Sequence, residues 1–540
     1  MKAFFKPCLV AIFLALSIFQ MSVCAQPHTV MIKQVYWSDQ SNELLQSILQ
    51  AKKSSLLGRA IDDTQLAHIT ERLTQDLRLQ GYLIAQVVVS SQDQTYFWNT
   101  GFLHLSVFLG RVGQIQIKNT SSVNEAWVDA VANRTLCPDG VGENCILTKN
   151  KFERMTNLLE DTAGLKIGSL ELSPDGVSIG QTKLIITVVP SISAVNGSVG
   201  VDNNGFSSTG RYRTGVSVGA NNIFGVGDVF ALSAFVSNQG ALSGVFDLSG
   251  PLSSNGLRWQ SSLSRTQFFV SNVNTSGFGN SASAGLAYPL MRSLDANWTA
   301  GLNAVVVSTN MTTNSVTTAD KTLVSGQITL DGNSGDRSIK LGQDTWFTRV
   351  ALANGQVKDA ANPINASGSL GNYTKLAFQG LGKLVLDDPN NIFVALNIRG
   401  QVANTNLDDY EKQLIGGANA MRAYAPEQGS FNQGTITSLE LRKVINTEWG
   451  QLIPMLFADY ANGWINHSTY PSWQINSGYS NPTLSNHMVL SDAGLGLDWN
   501  SFSKYSLSVS WARRLPMSPA GSSSSGNSNS QFWFAAKAFF

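Results

Sequence analysis

Few residues in this chain have types and spacing suited to chemistry. The stretch GGANAMRAYAPEQGS, residues 416–430, places Arg422 beside an aromatic in a run of Gly, Asn, Ala and Ser. Such a segment has to have some use for a fixed positive charge. Of the 4 cysteines, Cys8 and Cys24 fall in the N-terminal leader, and Cys137 and Cys145 close the short loop CPDGVGENC. In an exported chain that pair suggests a disulfide, which a chain-entropy estimate values at roughly 2.5 kcal/mol. A metal site would need two further ligands, and the five histidines, His28, His68, His104, His467 and His487, are scattered. The sequence GVSVG at 215–219 matches a Gly-x-Ser-x-Gly nucleophile pattern. It lies in an alternating β segment with no strand-to-helix turn after it, so Ser217 is read as packing. No carboxylate or histidine cluster marks an active site; no enzyme activity, cofactor or metal is expected.

Those residues have to be placed in a compartment. The start, MKAFFKPCLVAIFLALSIFQMSVCA, has a charged beginning at Lys2 and Lys6, an apolar run and a small-residue end. It reads as a signal peptide over residues 1–25. The formal charge is +1, which gives no electrostatic reason to expect nucleic acid as a partner. Charged residues make up 14%, against about 25% in ordinary globular proteins, while glycine numbers 48 and aromatics reach 9%. No apolar stretch after the leader reaches about 18 residues, which excludes a helical membrane protein. An outer-membrane β-barrel fits, because lipid-facing residues alternate with polar ones and leave no long run.

The chain has two halves with different periods. Up to about residue 190, strands mix with amphipathic helices. Leu66, Ile69, Leu73 and Leu77 share one helical face, with Asp62 and Gln65 spaced as a capping box and Gly81 as the stop. A strand is expected over Tyr82–Val89, and a later helix is expected to open at Asn150 with Glu153 three residues on. Both halves of this region read β-α-α-β-β at about 80 residues, an internal repeat of small α+β modules, placed at 26–111 and 112–190. Beyond Pro190 the helical period vanishes. In YSLSVSWARRL, Tyr505, Leu507, Val509 and Trp511 point one way and Ser506, Ser508, Ser510 and Ala512 the other. Small polar residues inside and apolar ones outside describe a transmembrane antiparallel β-barrel with a wet lumen. Residues 191–540 allow about 16 strands, ending in the aromatic run QFWFAAKAFF.

With that domain order, the sequence resembles the two-partner secretion transporters of the TpsB type, outer-membrane barrels preceded by polypeptide-transport-associated (POTRA) domains. LLGRAIDDTQLAHITERLTQDLRLQGYLIAQVVV resembles the first POTRA core and FERMTNLLEDTAGLKIGSLELSPDG the second. EKQLIGGANAMRAYAPEQGSFNQGTITSLELR is similar to the signature of the family's sixth extracellular loop, with Met421-Arg422-Ala423-Tyr424 at its core. LFADYANGW is similar to its Phe-x-Asp strand, at Phe457 and Asp459. Met421 replaces the usual Val or Leu. The first strand follows almost directly on the leader, which leaves no room for the pore-plugging helix of some members. The resemblance implies a loop, about 404–435, folded back into the barrel. There Arg422 would pair bidentately with Asp459, and Tyr424 would add a ring contact.

The resemblance also implies a function. A large β-helical partner with an N-terminal secretion domain would be caught unfolded in the periplasm, threaded through the pore and folded outside. The barrel itself would sit in outer-membrane lipid, inserted by the barrel assembly machinery. No Walker-type loop is present to supply ATP chemistry. Capture by strand addition at an exposed POTRA edge makes Leu73, Leu77, Tyr82, Ile84, Val87 and Val89 candidates, with the strand Lys166–Leu172 in the second module. An assembly factor for other barrels, and a passive porin or adhesin, are the alternatives.

Overall fold

The computed structural model describes residues 29–38, 43–174, 180–191, 194–340, 342–476, 484–501, 504–516 and 529–540. The expected leader lies outside the described residues. The chain divides into two compact units, residues 1–110 and 111–540.

The first unit is an α+β module. Helix Asp63–Leu79 opens with the anticipated capping box, the Asp62 carboxylate accepting from the Gln65 amide while the Gln65 side chain accepts from the Asp62 amide. Its face carries Leu66, Leu73 and Leu77 into the core. The three-stranded sheet runs Gln34–Trp37, Phe102–Phe108, Gln86–Val88, with the first pair parallel. The expected strand Tyr82–Val89 shortens to Gln86–Val88. Tyr82 precedes it in a turn, its amide donating to Leu77 O at 3.2 Å. A helix not anticipated, Ser91–Thr100, follows, capped by Ser90 and stopped by Gly101 at φ 81°. Its mixed polar and aromatic sequence has only one buried residue, Phe97, so hydrophobic periodicity carries little signal of it.

The second unit begins with a module of the same strand order, Arg111–Asn119, Gln181–Pro190, Leu165–Pro174, again with the first pair parallel. Cys137 and Cys145 are disulfide-bonded. Helix Lys149–Glu160 starts two residues earlier than expected: its N-cap is Thr148, which makes no side-chain cap, rather than Asn150. Glu153 is not a capping residue. It is buried and accepts the Leu294 amide at 3.2 Å, in the turn between barrel strands Thr275–Arg292 and Asn297–Thr313. Arg154 beside it reaches Pro289 O at 2.8 Å, and Arg292 clasps Asp161 with two bonds of 2.8 Å. The second module is thus bonded to the rim of the barrel.

From Val195 to Phe539 the described residues form a closed antiparallel barrel of sixteen strands. Gln433–Lys443 and Ile445–Thr447 are counted as one interrupted strand. The first strand, Val195–Asp202, closes on the last, Ser530–Phe539, over only the pairs Asp202↔Ala535 to Ser198↔Phe539. Beyond Asp202 the Asn203 amide extends the seam, donating to Phe532 O and accepting from the Phe534 amide, both at 2.8 Å. The inside–outside alternation is plain in Gly450–Trp464, where Met455, Phe457, Asp459 and Ala461 are buried while Leu456, Ala458 and Tyr460 are exposed. Ser217 lies in mid-strand with its hydroxyl 2.8 Å from that of Ser198. The lumen holds a cavity of about 1010 Å³ lined by Asp202, Arg213, Lys383, Arg442 and Asp498 among others.

A charge on the lipid side of such a wall costs about 2–4 kcal/mol near the bilayer midplane. Leu456→Arg is therefore expected to lower the urea midpoint of the refolded barrel in lipid. Ser510→Arg, on the lumen face, is expected to leave it within error of wild type.

Candidate functional site

The segment 404–432 connects strand Ile392–Ala403 to strand Gln433–Lys443 at the end of the barrel away from the second module. Instead of standing out in solvent, it turns inward. Gly416 permits the close return, since a Cβ there would collide with the Ala425 carbonyl. Gly434 and Gly463, paired across the wall, leave room for the buried ring of Phe431.

At the tip, Arg422 meets its partners on the lumen face. Nε lies 2.8 Å from Asp459 Oδ2 and Nη2 lies 2.7 Å from Asp459 Oδ1, the bidentate fork expected of arginine on a carboxylate. Nη1 donates to Glu440 Oε1 at 2.7 Å and Nη2 to Ser438 Oγ at 2.5 Å. The guanidinium also sits over the Phe457 ring, 3.5 Å from its centroid. Asp459, Glu440, Ser438 and Phe457 can converge because two neighbouring strands point them the same way: Ser438↔Asp459 and Glu440↔Phe457 are directly opposed. From Glu440 the ion pairs continue to Arg442 and Asp498, and Asp498 accepts from Ser508.

The backbone around Arg422 is held as well. Its carbonyl accepts from Trp533 Nε1 at 2.7 Å on the last strand. The Ala423 amide donates to Asp492 Oδ2 at 3.0 Å. Asp492 stands opposite Asp459 across the strands, a like-charge placement that is unfavourable unless answered; the guanidinium and the Ala423 N–H supply donors to the pair. Tyr424 is fully buried, and Arg514 lies over its ring at 4.3 Å from the centroid.

Arg422, Asp459, Phe457, Tyr424, Met421 and Ala423 therefore come together in one place. Sequence reasoning missed Glu440, Ser438, Asp492, Trp533 and Arg514. For the charged ones, Glu440, Asp492 and Arg514, charge at an alternating position is the signal: Glu440 alternates with Leu439 and Leu441 in SLELR. More than the expected ion pair and Tyr424 ring contact holds the loop. Ile415, Met421, Ala423, Tyr424 and Phe431 pack with Ile436, Met455, Phe457, Met488 and Leu490 as a buried apolar cluster, so packing holds the tip together with charge.

The capture residues proposed on the first module fare differently. Leu73, Leu77, Tyr82 and Val87 are 5% exposed or less, because their own module's core takes them; as placed, they offer nothing to a client. Ile84 and Val89 are half-buried, and Gln86–Val88 is an edge of its sheet.

A sequence model of the haemolysin secretion/activation protein ShlB/FhaC/HecB family matches residues 180–481, more than half of the chain and inclusive of Arg422 and Asp459. The chain belongs to this family. Among curated relatives, it is 22% identical over 531 residues to the heme/hemopexin transporter protein HuxB of Haemophilus influenzae, covering 93% of this chain and 86% of that one. The outer membrane transporter CdiB of Escherichia coli matches over 189 residues at 25% identity, covering 35% of this chain and 29% of that one. Among solved structures, CdiB from Escherichia coli superposes with a TM-score of 0.72 at 18% identity over 96% of this chain and 92% of that chain. CdiB from Acinetobacter baumannii gives 0.68 at 18% over 95% and 90%. This ShlB/FhaC/HecB member thus shares the fold of the two CdiB structures along nearly its whole length.

Removing one partner of a buried ion pair costs about 3–5 kcal/mol. Arg422→Ala is expected to undock the tip by that order and expose Lys412 to external trypsin in intact cells. Arg422→Lys, which keeps the charge but loses the fork, is expected to fall between that variant and wild type. Equal cleavage of all three would remove the clasp from the account.

Proposed function

We infer that this chain is an outer-membrane translocator of the two-partner secretion type, moving a secreted partner protein through its barrel. The observation that carries the reading is the lumen-docked loop of a ShlB/FhaC/HecB family member, held by Arg422 on Asp459 inside a closed barrel. Its relatives named for transport, HuxB and CdiB, support the same reading.

Several finer features belong to the proposal. The two α+β modules act as POTRA domains in the periplasm of a Gram-negative cell. The client arrives there unfolded and offers extended backbone to a free sheet edge, where main-chain hydrogen bonds give affinity irrespective of sequence. With the core-facing residues of the first module taken, the capture surfaces are the edge backbone of Gln86–Val88 and the edge strand Leu165–Pro174 of the second. The client is a large protein that folds, as a β-helix, only after emergence; this folding makes export irreversible without ATP. The barrel is inserted by the cell's barrel assembly machinery. The role is transport without catalysis.

Deleting the gene is expected to remove one large protein from the culture medium. Restoring the full chain should return it, and restoring a chain lacking residues 29–190 should not, although the truncated barrel still reaches the membrane. An unchanged set of secreted proteins after gene deletion would reject the reading.

A further inference from the structure

The Arg422 clasp secures only one end of the in-folded segment. Its first leg, residues 404–411, is held by a second set of polar contacts on a different part of the wall. The Glu411 carboxylate, 4% exposed, accepts from Tyr373 Oη at 2.9 Å and forms an ion pair with Lys375. Lys375 Nζ also donates to Glu411 O at 2.9 Å. Three residues earlier, Asp408 is paired with Lys321. Between them and the wall, Leu407 is buried against Val307, Leu323, Val357 and Tyr373. Asn432, fully buried at the end of the loop, accepts the Leu407 amide at 2.6 Å and donates to Thr405 O at 3.1 Å. The leg is thus tied to the point where the chain re-enters the barrel.

The strand order gives this arrangement its meaning. Lys321 lies on Val316–Asn333, the eighth strand of the sixteen, while Trp533, which holds the Arg422 carbonyl, lies on the sixteenth. In a ring of sixteen strands, positions eight apart face each other across a diameter. A segment pinned at both is a strap across the pore, and an extended polypeptide passing down the lumen has to displace it.

We propose that Asp408 and Glu411, through Lys321, Lys375 and Tyr373, form a second anchor that holds the first leg of the loop on the eighth and tenth strands while the Arg422 clasp holds its tip on the twelfth and thirteenth, so that the path opens when either hold lets go. This rests on the translocator reading for its purpose, though not for its geometry. Both anchors contain carboxylates neutralised by a cation at low exposure. A buried carboxylate whose partner is removed retains its desolvation cost, so loss of either cation weakens the hold on that leg.

The test uses the full chain, purified and reconstituted in planar bilayers, and the same variants in cells. In Asp408→Asn/Glu411→Gln the two charge pairs are lost while size is kept. Loss of hydrogen bonds to charged groups on this scale is expected to raise the frequency of full-conductance openings by on the order of tenfold or more, with heat-modifiable migration of the barrel unchanged. The exchange Asp408→Lys/Lys321→Asp, which restores an ion pair with reversed polarity, is expected to bring the openings back toward wild type; a purely steric or folding defect would not be rescued. Should the double variant fold poorly, Tyr373→Phe removes a single hydroxyl from the same anchor and is expected to raise openings by a smaller factor. Wild-type opening statistics in a folded double variant, or in Tyr373→Phe where that alone folds, would overturn the proposal. Altered openings in a chain that exports nothing in cells would support the anchor and reject the translocator reading instead.

Discussion

A guanidinium removed from bulk water needs both its charge and its donors answered, and this barrel is arranged around that requirement. Asp459 alone satisfies the fork of Arg422. The remaining donors reach Glu440 and Ser438, whose neighbours Arg442 and Asp498 carry the alternating charges deeper into the lumen. Such an ion pair contributes little net stability once desolvation is counted. What it supplies is a single geometry: the tip of a Gly- and Ala-rich segment can sit in only one register against the wall, and the apolar cluster around Tyr424 then packs in that register alone.

The wall can present those groups because of strand alternation. In Gly450–Trp464 one parity gives Phe457, Asp459 and Ala461 to the lumen and the other gives Leu456, Ala458 and Tyr460 to lipid. A shift of one residue would turn Asp459 into hydrocarbon and Leu456 into the pore. The lipid therefore enforces the register that the clasp uses. Farther round the ring, on the eighth and tenth strands, the same logic places Lys321 and Lys375 where Asp408 and Glu411 can meet them.

How much of this was legible in the sequence varies with the physical signal. The barrel was readable because lipid demands apolar residues at every second position, as Leu507 and Trp511 against Ser508 and Ser510 show. The Asp62–Gln65 capping box was readable because it is local. The pairing of Arg422 with Asp459 came from likeness to a family, since 37 residues of chain separate them. Glu440, Asp492 and Trp533 were not anticipated, because convergence across three strands depends on register. The same blindness applied to Leu73 and Leu77: an amphipathic stripe looks the same whether it faces its own core or a client. Helix Ser91–Thr100 was missed because its polar and aromatic residues show no helical stripe, and Glu153, spaced as a cap, serves instead as an acceptor for the barrel rim.

The central claim is that a secreted chain travels through the lumen that this loop occupies. Its most direct test is a photo-reactive residue placed at Ser510, which lines the lumen cavity, and separately at its neighbour Trp511, 40% exposed on the outer face. Irradiation during export is predicted to link the exported polypeptide to position 510 and not to 511. Export at wild-type rate with no adduct at 510, or with adducts at 511 alone, would contradict a route through the barrel.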